Sequence, residues 1–221
     1  MSQLLRLLFV GGSTMRGYSY SSEVESFGYQ IIKELNNGSE IYAKDRILIS
    51  EVRDFLEKSV NFDVFVIQVG VADSLLKKPL SRKKSHPRQI FLLKRPSITK
   101  VILKRFLYFT RLSRAATKRV SFESCIESIS ELALARQAKV IWLGSIIAPV
   151  RLTKPERFIK NLYCKMSFVA LAERFPDSHV FIDVDQECSH LVNNLDVFHL
   201  NQEGHDVVAA LIRERLGQWT R

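Results

Sequence analysis

Acidic residues are absent from one whole stretch of this chain. From Lys77 to Arg119 there are fifteen Lys and Arg and no Asp or Glu. The full 221 residues carry 33 basic and 23 acidic side chains, a formal net charge of +10. Outside the stretch 18 basic residues face 23 acidic ones, a balance of −5, so the positive excess belongs entirely to one segment. Cysteine is scarce as well. Cys125, Cys164 and Cys188 are odd in number and share no repeated spacing, which excludes a disulfide framework and points to buried free thiols in a reducing compartment, the cytoplasm by default. No apolar run approaches the roughly 20 residues that cross a bilayer. The opening "LLRLLFV" is interrupted by Arg6 and runs into Gly-Gly-Ser rather than a cleavage-like site, so it reads as a strand and not as a signal peptide. Internal repeats are missing too.

What is present is the composition of an ordinary globular protein, 46% apolar and 25% charged, long enough for one sizeable domain and short for two. Strand and helix signals alternate. Leu4 to Val10 reads as a buried strand. Ser22 and Glu25 form a capping-box pattern ahead of Val24, Phe27, Ile31 and Leu35, which fall at helical spacing. "NNGSEIYA" predicts a turn and a short strand, and "ISEVRDFLEK" a second helix. Asp63 to Gly70, "DVFVIQVG", is the clearest strand. Ile126, Ile129 and Leu132 mark a helix before the strand "KVIWLGS". Phe158, Leu162, Met166 and Val169 mark another before "HVFIDV", and Val208, Leu211, Ile212 and Leu216 close the chain. Apolar strands separated by amphipathic helices imply a central parallel sheet covered on both faces, a three-layer α/β/α sandwich. The expectation is a single domain over residues 1–221 with a basic helical insertion at about 77–119. In such sheets ligands bind beyond the carboxyl ends of the strands. Gly11 to Ser13, Gly70 to Asp73 and the loop before the last helix all fall there.

That last loop reads "LDVFHLNQEGHDVV", with Asp196 and His199 three apart and Asn201 placed to cap the following helix. On a single turn this spacing lets a carboxylate reach one ring nitrogen while the other faces outward, the base and orienter of a hydrolytic triad. Ser13, on a strand-end loop of the same sheet edge, would be the third member, its hydroxyl giving up a proton to the imidazole. Taken alone, Ser13 reads as a strand-end turn serine, and the C-terminal block moves the reading to a nucleophile; the alternative for His199 is a loop histidine tied to its neighbour Asp196. His205 reads as a packing or capping residue, and His86, His179 and His190 have no partner pattern. Cys188, His190, His199 and His205 match no standard zinc spacing, so neither metal nor cofactor is expected.

Gly11-Gly12-Ser13-Thr14, Gly70-Val71-Ala72-Asp73 and Asp196-x-x-His199-Leu200-Asn201 together resemble the blocks of the SGNH/GDSL hydrolases, in their order and in their distance from the two ends. The resemblance spans the chain apart from the basic segment. It implies a flavodoxin-like sandwich and metal-free hydrolysis of acyl esters through an acyl-enzyme. It also implies Ser13, Asp196 and His199 as nucleophile, orienter and base, with Gly12, Gly70, Ala72 and Asp73 around the acyl site. Two departures stand out. Gly12 replaces the family's acidic residue, and Ala72 stands where the family has an asparagine whose amide helps hold the oxyanion. The family's second-block glycine has no match in "YAKDRILIS". Losing one such donor costs about 10²–10³ in rate. Arg16, just past the serine, or a cation of the basic segment is a substitute by position.

The basic segment interleaves its cations with apolar residues such as Phe91, Val101, Phe106 and Leu112, at helical spacing after Pro96. It fits a helical insertion with solvated cations, an arm over an anionic substrate, an interfacial helix on the inner face of an anionic membrane, or, with no motif to support it, a nucleic-acid patch. The expected function is a serine-dependent esterase removing acyl groups from a carbohydrate. Acyl transfer to a sugar hydroxyl is its nearest rival, and a catalytically weakened relative that binds a glycan or membrane is the other.

Overall fold

The computed structural model describes residues 5–16, 25–35, 38–45, 47–69, 73, 120–144, 165–188, 190–193 and 196–220. The basic segment, Arg16's side chain, Gly70, Ala72 and Cys164 lie outside that description.

Five strands form one parallel sheet: β1 (Leu7–Gly11), β2 (Glu40–Ala43), β3 (Val64–Gln68), β4 (Lys139–Leu143) and β5 (His179–Ile182). Their order is β2-β1-β3-β4-β5, the flavodoxin-like winding, whose direction reverses between β1 and β3. The register sets Gly11 beside Ala43 on one side and Gln68 on the other. The strands are apolar on both faces because helices cover both. Leu7, Phe9, Val64, Val66, Ile141 and Leu143 pack beneath α1 (Phe27–Leu35), α5 (Val184–Cys188) and α6 (Gln202–Trp219). The alternate residues Leu8, Val10, Phe65, Ile67, Val140 and Trp142 meet α2 (Ile49–Lys58), α3 (described over 120–135) and α4 (Met166–Arg174). The side-chain period of two along each strand thus divides one apolar sequence between two cores. The turn predicted ahead of β2 is made at Gly38, whose φ of +80° suits a residue without Cβ.

Several predicted details shift. Helix α1 starts at Phe27, where Ser26 Oγ accepts the Tyr29 N–H at 3.3 Å and its carbonyl accepts from Gln30, so Ser26 caps the helix; the capping box assigned to Ser22 and Glu25 does not, and Ser22 and Val24 lie outside the described residues. On α4 the buried face is Phe168 and Leu171, while Met166 is 60% exposed. Phe168 stacks on Trp142 with ring centroids 4.7 Å apart, and that aromatic contact turns the helix away from the predicted stripe; Phe158 and Leu162 fall outside the described residues. The segment before the last helix is not a plain loop. It holds the short α5 and a hairpin of β6 (Val192–Asn193) and β7 (Asp196–Leu200), paired antiparallel with a register shift at Val192/Asn193. Cys125 and Cys188 are buried free thiols. No helix of the described residues is long and apolar enough to cross a membrane.

Candidate active site

β1 ends at the point where the sheet reverses its winding, and the chain leaves it through Gly11 and Gly12 into a short 3-10 turn, Ser13–Arg16. Gly11 leaves little room there. A Cβ on it would lie 3.0 Å from the Gln68 carbonyl oxygen and 3.0 Å from Met15 Cε. Met15 is fully buried and its N–H bonds the Gly12 carbonyl at 3.1 Å, so the turn is anchored by its own third residue. Ser13 is left half-buried at the turn's first position. A Cβ on Gly12 would meet nothing within 4 Å, so steric space does not explain the glycine at that position.

The neighbouring loop holds the turn from the β2 side. The Lys44 N–H donates to the Gly11 carbonyl at 3.0 Å, and the Lys44 ammonium pairs with Glu51. Glu51 Oε2 also accepts the Leu48 N–H at 2.9 Å. These bonds hold the Glu51 carboxyl below its usual range and the Lys44 ammonium above its own.

His199 arrives from β7 and is buried. Its position is fixed from below. Asn201 caps α6, its Oδ1 accepting the Gly204 N–H at 2.9 Å, and the Asn201 N–H bonds the Leu191 carbonyl at 2.9 Å. Between these constraints the His199 ring meets the turn: Ser13 Oγ and His199 Nε2 lie 2.6 Å apart, across 186 residues of sequence. That is proton-transfer distance for a hydroxyl and an imidazole.

The remaining predicted residues are placed as follows. Asp196 opens β7, its backbone paired with Asn193. Because the segment is extended, the single-turn geometry expected for Asp196 and His199 does not apply. Asp73 turns its carboxylate to the first N–H of α2, at 3.2 Å and 3.4 Å from Ile49 N, and so ties the loop after β3 to a helix N-terminus. Arg16 ends the 3-10 turn.

Two further residues sit close by: His205, expected as a packing or capping residue, and Gln68, which the sequence reading passed over. His205 is fully buried at the start of α6. Its Nδ1 accepts the Phe27 N–H at 3.4 Å, its ring lies 5.6 Å from that of Phe27, and its Nε2 has no partner among the described residues. Burial pushes its pKa down to about 4; Asp206 opposes the shift and His199 adds to it. Gln68, on β3 beside Gly11, is 7% exposed, and its enclosed Oε1 has no partner among the described residues. The signal for it was legible: it is the one polar residue in "VFVIQ".

No family model matches the chain, and no curated protein matches it. Solved structures do match. A GDSL-like lipase from Bacteroides thetaiotaomicron superposes with a TM-score of 0.62 at 16% identity, over 97% of this chain and 89% of that one. The chain has the fold of the GDSL hydrolases. A member of the lipolytic G-D-S-L family from Veillonella parvula gives a TM-score of 0.58 at 13% identity, covering 95% of this chain and 96% of its own. An acetylxylan esterase from Geobacillus stearothermophilus gives 0.57 at 16% identity over 98% and 96%. In this chain the GDSL fold places Ser13 at the sheet's reversal point and His199 on the strand leading into its last helix.

Proposed function

We propose that the protein is a serine-dependent carboxylic ester hydrolase that removes a small acyl group from a carbohydrate. The observation that carries this reading is the 2.6 Å contact between Ser13 Oγ and His199 Nε2. In the first half-reaction Ser13 Oγ attacks the ester carbonyl carbon and its proton passes to His199 Nε2. The C–O bond to the sugar then breaks, and the same proton goes to the departing alkoxide. Water repeats the sequence on the acyl-Ser13 ester, releasing the carboxylic acid. Asp196 orients the ring and stabilises the imidazolium. The Ser13 N–H, at a turn held by Met15 and Lys44, donates to the oxyanion, and Gly12, Arg16, Gly70, Ala72 and Asp73 are assigned to substrate binding from their places in or beside the motif blocks.

A sugar ester is favoured because acetylxylan esterase structures are among those with this fold, and one of them is a catalytic mutant with a histidine replaced by alanine. The fifteen cations between Lys77 and Arg119 favour an anionic glycan over a neutral one. The same cations would also suit an anionic lipid surface, and transfer of the acyl group to a sugar hydroxyl needs only that the acceptor replace water.

A fluorophosphonate probe followed by intact-protein mass tests the chemistry. One adduct is expected on wild type and none on Ser13→Ala or His199→Ala. Acetylated acidic oligosaccharide should be deacetylated faster than its neutral counterpart, with the advantage shrinking as salt rises. Absence of any Ser13-dependent adduct would remove the esterase reading.

A further inference from the structure

Gln68 is an unusual residue for its place. It is the last residue of β3, in a strand otherwise made of Val, Phe and Ile, buried beneath α1 and α6. The register sets it directly beside Gly11, so its Cα stands about 4.8 Å from the strand that ends in the serine turn. Its Cβ is 3.2 Å from the position a Gly11 Cβ would take, and Met15 Cε occupies the same space. The side chain is therefore packed directly under the Ser13 turn. Oε1 is enclosed with no partner among the described residues, and Nε2 is not among the enclosed unpaired atoms. A buried carboxamide oxygen left unpaired forgoes a hydrogen bond that water would supply, a cost of about 1–3 kcal/mol. A leucine would fill the same space without that cost. The polar group is explained if a partner arrives with the ligand.

We propose that the Gln68 carboxamide is an oxyanion donor for the Ser13 reaction, its Nε2–H bonding the oxygen that becomes negative when Ser13 attacks. This rests on the esterase reading above and adds a residue to it. The position fits the need. Developing charge at an acyl carbon bound to Ser13 Oγ lies at the sheet's reversal point, where β1 and β3 part and open a crevice beyond their carboxyl ends. An amide held in an apolar layer is already oriented, and its dipole acts there without competition from water. The chain has no side-chain donor at Ala72, so a donor from the end of β3 has a vacant task to fill. A neutral amide also suits the site better than a charged group, since at that depth an uncompensated charge would be costly before substrate binds.

The test is the hydrolysis of p-nitrophenyl acetate by wild type, Ser13→Ala, Gln68→Leu and Gln68→Glu, with kcat and KM separated. Gln68→Leu should lower kcat by about 10²–10³ with KM changed less than about threefold. Gln68→Glu keeps the shape but opposes the oxyanion while ionised. Its kcat relative to wild type should be low at about pH 8 and rise as the pH is lowered and the acid regains a proton to donate. Gln68→Leu retaining wild-type kcat would overturn the proposal. So would Gln68→Glu matching wild type at about pH 8, since that outcome makes Gln68 a packing residue; this variant decides alone if Gln68→Leu does not fold. If instead Ser13→Ala leaves turnover intact, the esterase reading itself fails, and the Gln68 proposal goes with it.

Discussion

A hydroxyl at 2.6 Å from an imidazole nitrogen is only as useful as the orientation of the ring. In a neutral histidine one nitrogen carries the proton and the other accepts, and Ser13 needs Nε2 to be the acceptor. A carboxylate at Nδ1 enforces that tautomer, and this is the role proposed for Asp196. The amide variant Asp196→Asn keeps the size but can present its NH₂ to Nδ1, selecting the wrong tautomer. Its kcat on p-nitrophenyl acetate should fall by about 10³–10⁴ with KM little changed; a loss of less than tenfold would show that Asp196 does not orient the ring. At this scale the serine-to-histidine pairing was legible in the motif blocks but not in any local spacing, because the two residues meet only through the fold. The argument that Asp196 and His199 share a turn was physically misplaced. The backbone from Asp196 to Leu200 is extended, so a separation of three is not one helical turn and carries no geometric meaning by itself. Gln68 was readable as a polar residue in an apolar strand, but the enclosure of its Oε1 is a property of packing.

The elements were legible wherever one periodicity dominated. "ISEVRDFLEK" is α2 to the residue, and "DVFVIQVG" contains β3. Legibility failed where tertiary contact chose among local options. Ser26 rather than Ser22 caps α1 because the helix meets His205 at Phe27. The face of α4 follows Trp142, and the two residues of β6 exist only because β7 pairs with them. The junction that matters most for the site is α6 against β7, and it is made at Gly204. A Cβ there would stand 2.7 Å from Leu200 Cδ2 and 2.9 Å from the Leu191 carbonyl oxygen. Alanine gains about 1 kcal/mol of helix propensity over glycine, but the backbone oxygen cannot yield as a side chain can. Overpacking of this kind costs about 1–3 kcal/mol. Gly204→Ala should therefore lower the urea midpoint despite its better propensity. Because Leu200 adjoins His199, kcat should fall too. A variant more stable than wild type would show that the α6–β7 contact is looser than the distances imply.

Over the whole molecule, two buried histidines tie stability to pH. His179 is 1% exposed on β5, its Nε2 2.8 Å from Ser130 Oγ and its Nδ1 2.9 Å from Ser178 Oγ, and burial lowers its pKa to about 4. His205, under α1, is held at about 4 by the same cause. The two sit on opposite faces of the sheet, so their effects should add. Each folded-state value lies below the ordinary 6.5. Between those limits the unfolded chain binds protons that the native state refuses, so stability rises with pH across the window. The contribution is complete above about pH 6.5 and declines as the pH falls toward 4, with a slope of up to about 1.4 kcal/mol per pH unit for each ring. Urea unfolding followed by circular dichroism at several pH values should show the midpoint dropping through this range. His205→Gln, whose amide oxygen can still accept the Phe27 N–H, should flatten the dependence by about one proton. A dependence between about pH 6.5 and 4.5 unchanged in His205→Gln would overturn the role of His205; Glu51, whose pKa is lowered from 4.5 by its bonds to Lys44 and Leu48, acts only below that range. The Glu51 contribution is lost below about pH 4.5, as the carboxyl is protonated, and Glu51→Gln should remove that lower limb while His205→Gln leaves it standing.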